Sequence, residues 1–189
     1  MITGSDNSLG LTWLVLIIFL HLSLVPFFRR YMSRVAVPLA FSISLLTYTL
    51  LSYWAVLVHL PVQVALMPFL AVSAYYIVSS GNRSRPWALN CIKTHFSSEW
   101  RYYALFFAVF LAMLALRVYS PDISSAEKFM DHGFIASMMR MTVIPTLDPW
   151  FAGGDLSVYY YLGHWMIACL GLTVGIQSSQ LFTLALPTI

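Results

Sequence analysis

Two carboxylates, Glu127 and Asp131, stand four residues apart, so both project from one face if their segment is helical. Like charges at that spacing repel weakly. A cation, a shared proton, or an arrangement in which one carboxylate serves as general base would offset the repulsion. A plainer account is also open. Ser124-Ser125-Ala126-Glu127 fits a capping box that Glu127 completes, and Asp131 suits the N-terminal half of a helix through its dipole. Spacing alone favours the plainer account. Phe134 and Met138 continue the same stripe, which puts the carboxylates at the edge of a buried surface rather than on a solvated face. Asp148 follows in a stretch, Pro145 to Asp155, constrained by two prolines and a glycine pair. It suits a sugar hydroxyl or a cation, and equally a turn cap. Tyr159-Tyr160-Tyr161 come next. A single tyrosine there belongs to the interfacial aromatic belt. Three in succession splay around a helix, so at least one turns inward and its hydroxyl needs a partner. His164 lies one turn further on. An ionisable side chain inside a span is a functional candidate, and a neutral histidine bonded to a neighbouring helix is its equal.

The elements that must position these residues follow from composition. Of 189 residues, 60% are hydrophobic and only 9% charged, against about 25% charged in a soluble domain. The mean hydropathy is +0.79. These values exclude a soluble enzyme, a disordered tail and a nucleic-acid-binding domain, and the net charge of +3 is no sign of a polyanion partner. Cys91 and Cys169 are too few for a disulfide framework. Apolar runs of membrane-spanning length cover Leu9–Phe28, Val35–Val58, Val62–Val78, Tyr102–Val118 and Leu156–Ile176, and a sixth starts near Ser179. The first lacks the basic leader of a signal peptide and is expected to be retained. His59-Leu60-Pro61 breaks the second from the third. The expected fold is all-α: a polytopic transmembrane helix bundle forming one domain over 1–189, bathed in the lipid bilayer.

Basic residues orient it. Arg29, Arg30 and Arg34 follow the first span, and Arg83, Arg85, Lys93 and Arg101 follow the third. The positive-inside rule makes 29–34 and 81–101 cytoplasmic loops of the cell membrane, with the N-terminus and loop 119–155 outside. The Asn82-Arg83-Ser84 sequon then goes unused. Five of the seven acidic residues fall in the outer loop, which marks it as the place for chemistry. Within it, about 125–141 is expected as a short helix at the membrane surface, with Phe129, Met130, Phe134, Ile135, Met138 and Met139 as its apolar residues.

Taken together, four strings resemble the "YYY" multi-pass membrane proteins of archaea and Chloroflexi, whose function is not established. They are Pro121-Asp122-Ile123, Glu127-Lys128-x-Met130-Asp131, Asp148-Pro149-Trp150-Phe151-Ala152-Gly153-Gly154 and Tyr159-Tyr160-Tyr161-x-Gly163-His164. Arg117 also fits that pattern, whereas Phe129 stands where proline is expected. Family members are several times longer, so the chain is expected to match an N-terminal portion, a split gene product or a shortened relative. The family is in turn similar to GT-C membrane glycosyltransferases. The resemblance implies a GT-C-like N-terminal module that transfers a sugar from a polyprenyl-phosphate carrier at the outer face with inversion. Glu127 and Asp131 would be the catalytic pair. Lys128, Arg140, Asp148, Trp150, Tyr159, Tyr160, Tyr161 and His164 would bind substrate. No cofactor is certain, although the carboxylates suit a divalent cation. The competing account is a non-catalytic integral-membrane subunit packing on a partner protein or a complementary C-terminal part, to which the Gly171 and Gly175 spacing would contribute. A transporter or channel fragment is weaker, because the spans hold no charged side chain apart from Arg117 near an end.

Overall fold

The computed structural model describes residues 4–32, 35–81, 87–120, 126–157 and 161–188. Helices α1 (Gly4–Tyr31) and α2 (Ala36–Leu57) are followed by a 3-10 turn (Val62–Leu66) that runs into α3 (Met67–Gly81). Then come α4 (Trp87–Tyr119), α5 (Ala126–Arg140), α6 (Tyr161–Val174) and α7 (Ser178–Thr188). Four segments are long and apolar enough to cross a membrane: Ser8–Tyr31, Ala36–Leu57, Val62–Ser79 and Glu99–Tyr119. The chain is an all-α polytopic membrane bundle.

Helix α4 starts well before its apolar part. Most of 81–101, expected as a loop, is helical, and Lys93 and Arg101 lie on α4. Trp87–Ser98 contains no glycine or proline, so nothing stops the helix from extending beyond the apolar stretch that hydropathy detects. The other end of α2 closes with hydrogen bonds from the His59 N–H to the Val56 carbonyl and from the Leu60 N–H to the Ala55 carbonyl. These two bonds are the Schellman arrangement, with His59 at φ 61° in the place usually taken by glycine.

The fifth apolar run is shorter as a helix than as a sequence. Leu156 lies in the preceding loop, its N–H donating to the Thr146 carbonyl. Helix α6 has 14 residues, about 21 Å at 1.5 Å per residue, against a hydrocarbon core of about 30 Å. Its hydrogen-bond and ring partners on α2 include residues from Tyr48 to Tyr53. Tyr161 and Trp165 meet Tyr53, Trp165 donates to Ser52 at 3.1 Å, and Thr173 bonds the Tyr48 hydroxyl. The last turn returns to the α2–α3 corner, where Gln63 donates to the Leu172 carbonyl at 3.3 Å. Helix α6 thus stays near the bundle end that carries α5 and the 141–157 loop, here called the loop end.

The core is built of Trp13, Leu20, Tyr48, Ile135, Met138, Trp165, Leu170 and Leu181, all essentially inaccessible. Polar side chains tie the helices across it. Trp13 donates to Thr188 at 3.0 Å, the His21 ring bonds the Tyr103 hydroxyl at 2.9 Å, and Ser73 donates to Ser23 at 3.1 Å. Such bonds contribute roughly 0.6 kcal/mol each in a membrane, at most about 2. Tyr75, Ile77, Leu111 and Leu116 of α3 and α4 point outward, the apolar coat that acyl chains cover.

Candidate functional site

The site grows from α5. Phe134, Ile135 and Met138 bury one face of this helix against α6 and α7. The helix is therefore part of the bundle as well as a cap on it. Asp131 lies one turn before Ile135 on that side, where the packed face meets the open end. His164 occupies the first turn of α6. The two meet at 3.0 Å, Nε2 to Oδ1. A carboxylate only accepts, so the imidazole Nε2–H is the donor. Phe134 packs its ring at right angles to His164 with centroids 5.4 Å apart, holding the imidazole edge-on to the carboxylate. The side chain of His164 is 11% exposed and that of Asp131 42% exposed. The histidine is a fixed prop, and the aspartate keeps an open side for a second partner.

The 141–157 loop folds back on α5. An antiparallel bridge joins Leu147 to Asp155, and the Asp148 N–H donates to the Gly154 carbonyl at 2.9 Å. Gly153 supplies the left-handed turn at φ 80°. Asp148 accepts from the Trp150 N–H at 2.8 Å, so its side chain caps the turn. Ser137 pins the hairpin to α5 by donating to the Leu147 carbonyl at 2.8 Å. Trp150 lies across α5, its ring 5.3 Å from that of Phe129 and so close over Gly133 that a Cβ there would stand 3.1 Å from its Cζ2. Buried Thr146 bonds the Tyr161 hydroxyl at 2.6 Å and the Val143 carbonyl at 3.1 Å, joining the loop to α6.

Asp131, His164, Trp150 and Tyr161 are therefore held in one assembly of α5, α6 and the hairpin. Tyr161 is a tyrosine that turns inward, as the run of three requires. Glu127 is exposed and makes no ion pair among the described residues. Of the pair four residues apart, only Asp131 pairs with a titratable side chain among the described residues. Lys128 is half-buried, and Arg140 is exposed at the far end of α5. Tyr159, Tyr160 and the capping-box serines lie outside the described residues. Among the described residues, no three His, Cys, Asp or Glu side chains converge as metal ligands do. Sequence reasoning missed Ser137, Thr146 and Gly133. Of these, only Gly133 carried a signal, as a glycine interrupting a helical segment.

Glycines 171 and 175 serve inside the chain. Gly171 receives the Leu181 side chain of α7, and Gly175, at φ 79°, ends α6.

No curated protein and no solved structure matches the chain. One family model does, over residues 39–189, a stretch that contains every side chain of the assembly just described. The chain belongs to that family, described as uncharacterized membrane protein (DUF2298).

Proposed function

We propose that the protein is a GT-C-like membrane glycosyltransferase that takes a sugar from a polyprenyl-phosphate carrier at the outer membrane face. The observation that carries this reading is the Asp131–His164 pair: a half-open carboxylate oriented by a nearly buried imidazole at the loop end. In this role the acceptor hydroxyl approaches the open side of Asp131. The acceptor oxygen forms its bond to the anomeric carbon as the bond from that carbon to the phosphate oxygen breaks. The phosphate leaves with the bonding pair, the acceptor proton passes to the Asp131 carboxylate, and the anomeric centre inverts. His164 is a positioning residue that keeps one carboxylate oxygen engaged. Trp150, half-exposed over α5, offers an aromatic face for the apolar side of a sugar ring. Five acidic residues in the loop and the basic residues at the other bundle end support an outward-facing loop end.

The test is sugar transfer by the purified chain in lipid nanodiscs with polyprenyl-phosphate sugars. Asp131→Asn should lower turnover by about 10²–10⁴-fold, the usual value of a positioned general base. Glu127→Gln should stay within about threefold of wild type. Equal activity in wild type and Asp131→Asn would remove Asp131 from the mechanism, and no turnover of any donor by wild type would remove the transferase reading. The competing subunit reading draws less support than the glycine spacing promised, because Gly171 and Gly175 are used within the chain.

A further inference from the structure

Near the loop end of α4, Arg117 is 6% exposed. Its Nη1 donates to the Ser120 carbonyl at 3.3 Å, and its Cζ lies 5.0 Å from the centroid of the Phe182 ring of α7. Nε and Nη2 are buried and have no hydrogen-bond partner among the described residues. These two nitrogens form one edge of the guanidinium, the side-on fork that matches two oxygens of a phosphate or carboxylate. The ion pair among the described residues joins Asp131 to His164, so no described carboxylate neutralises this charge. An arginine sunk in an apolar bundle without a counter-ion is costly, and such groups commonly face a substrate path.

A second orphan lies against the same aromatic ring. His132 of α5 packs edge-on to Phe182, with centroids 5.7 Å apart, and its Nε2 is likewise buried and without a partner among the described residues. His132 directly follows Asp131, about 100° further round the helix. Asp131 therefore turns toward α6, while His132 turns toward α7. Arg117 and His132 thus share Phe182 as a packing partner.

We infer that Arg117 and His132 form an oxyanion subsite for a phosphate group, with the Nε–Nη2 edge of Arg117 binding two oxygens and His132 Nε2 donating to a third. The inference rests on the transferase reading, in which this phosphate is the leaving group of the lipid-linked donor, and it deepens that reading by giving the leaving group a place. Arg117 and His132 are distinct from Lys128 and Arg140, which are half-buried and exposed, respectively, on α5.

The full chain in nanodiscs is titrated with polyprenyl phosphate in the bilayer or with inorganic phosphate in the buffer. Binding is read by phosphorus NMR and by the unfolding midpoint. Wild type should bind and gain thermal stability. Arg117→Gln should bind at least about tenfold more weakly, the equivalent of about 1.4 kcal/mol. Arg117→Lys keeps the charge but not the fork, and should also fall short of wild type. His132→Gln should weaken binding less, and Glu127→Gln should leave it intact. Binding of the lipid alone identifies a headgroup subsite; binding of both identifies a general phosphate subsite. If Arg117→Gln does not fold, the wild-type titration and Arg117→Lys decide. No binding by wild type, or unchanged binding in Arg117→Lys and His132→Gln, overturns the subsite. Phosphate binding without sugar transfer leaves the subsite standing and removes the transferase reading. Transfer with binding indifferent to both residues does the reverse.

Discussion

At the scale of single residues, the division of labour between Asp131 and His164 makes a prediction that a merely structural pair would not. The imidazole reaches Asp131 through Nε2. Glutamine at 164 can place an amide donor near that position, and alanine cannot. His164→Gln should therefore retain more sugar transfer than His164→Ala, with the loss falling mainly on kcat, because a positioning residue acts on the base and not on substrate affinity. Steady-state kinetics of the two variants check this, and equal losses would assign His164 to packing. The pair was half legible in the sequence. Each member was visible as a candidate, but each had an ordinary explanation, and 33 residues separate them. Four-residue spacing pointed to Glu127 as the companion of Asp131, yet the helix turns Glu127 to solvent. Asp148 shows the converse: the turn-capping role open in the sequence is the one its side chain performs toward Trp150.

At the scale of elements, helix ends explain what hydropathy could and could not reveal. The first three spans and α5 were legible because apolar runs end at Arg29-Arg30, at the Leu60-Pro61 break, and at residues of turn type. The shortness of α6 was not, since Leu156 through Ile176 reads as apolar whether or not its first residues are helical. The fold-back of the hairpin onto α5 was also hidden, because Ser137 donating to a carbonyl ten residues on leaves no periodic trace. Two substitutions test these ends. Gly171→Ala puts a methyl into the space of the Leu181 side chain and should destabilise the protein by about 1–3 kcal/mol as overpacking does. A lowered unfolding midpoint in detergent is the expected reading. His59→Gly relieves the roughly 1–2 kcal/mol that a left-handed conformation costs an L-residue, partly offset by the greater freedom of glycine in the unfolded chain. The midpoint should stay level or rise slightly, and a clear fall would show that the His59 side chain itself stabilises the corner.

At the scale of the whole molecule, the orientation is open to labelling. In a Cys91→Ala background, with Cys169 buried, a cysteine replacing exposed Phe151 should react with an impermeant thiol reagent added to intact cells. One replacing exposed Met32 should react only after the membrane is opened. The reverse pattern would invert the bundle. The contact between α2 and α6 also has a temporal side. Trp165 finds Ser52 across 113 residues of chain. At roughly 5–20 residues per second of synthesis, the polar stripe of α2 waits on the order of ten seconds in lipid before α6 exists. Thr49 and Ser52 meanwhile need no partner, since each donates its hydroxyl to a carbonyl of its own helix, Leu45 and Thr49 respectively. Each oxygen still has lone pairs to accept a later donor. The stripe is thus inert toward acyl chains yet ready for an indole N–H, so α2 can settle early and still recognise a helix made much later.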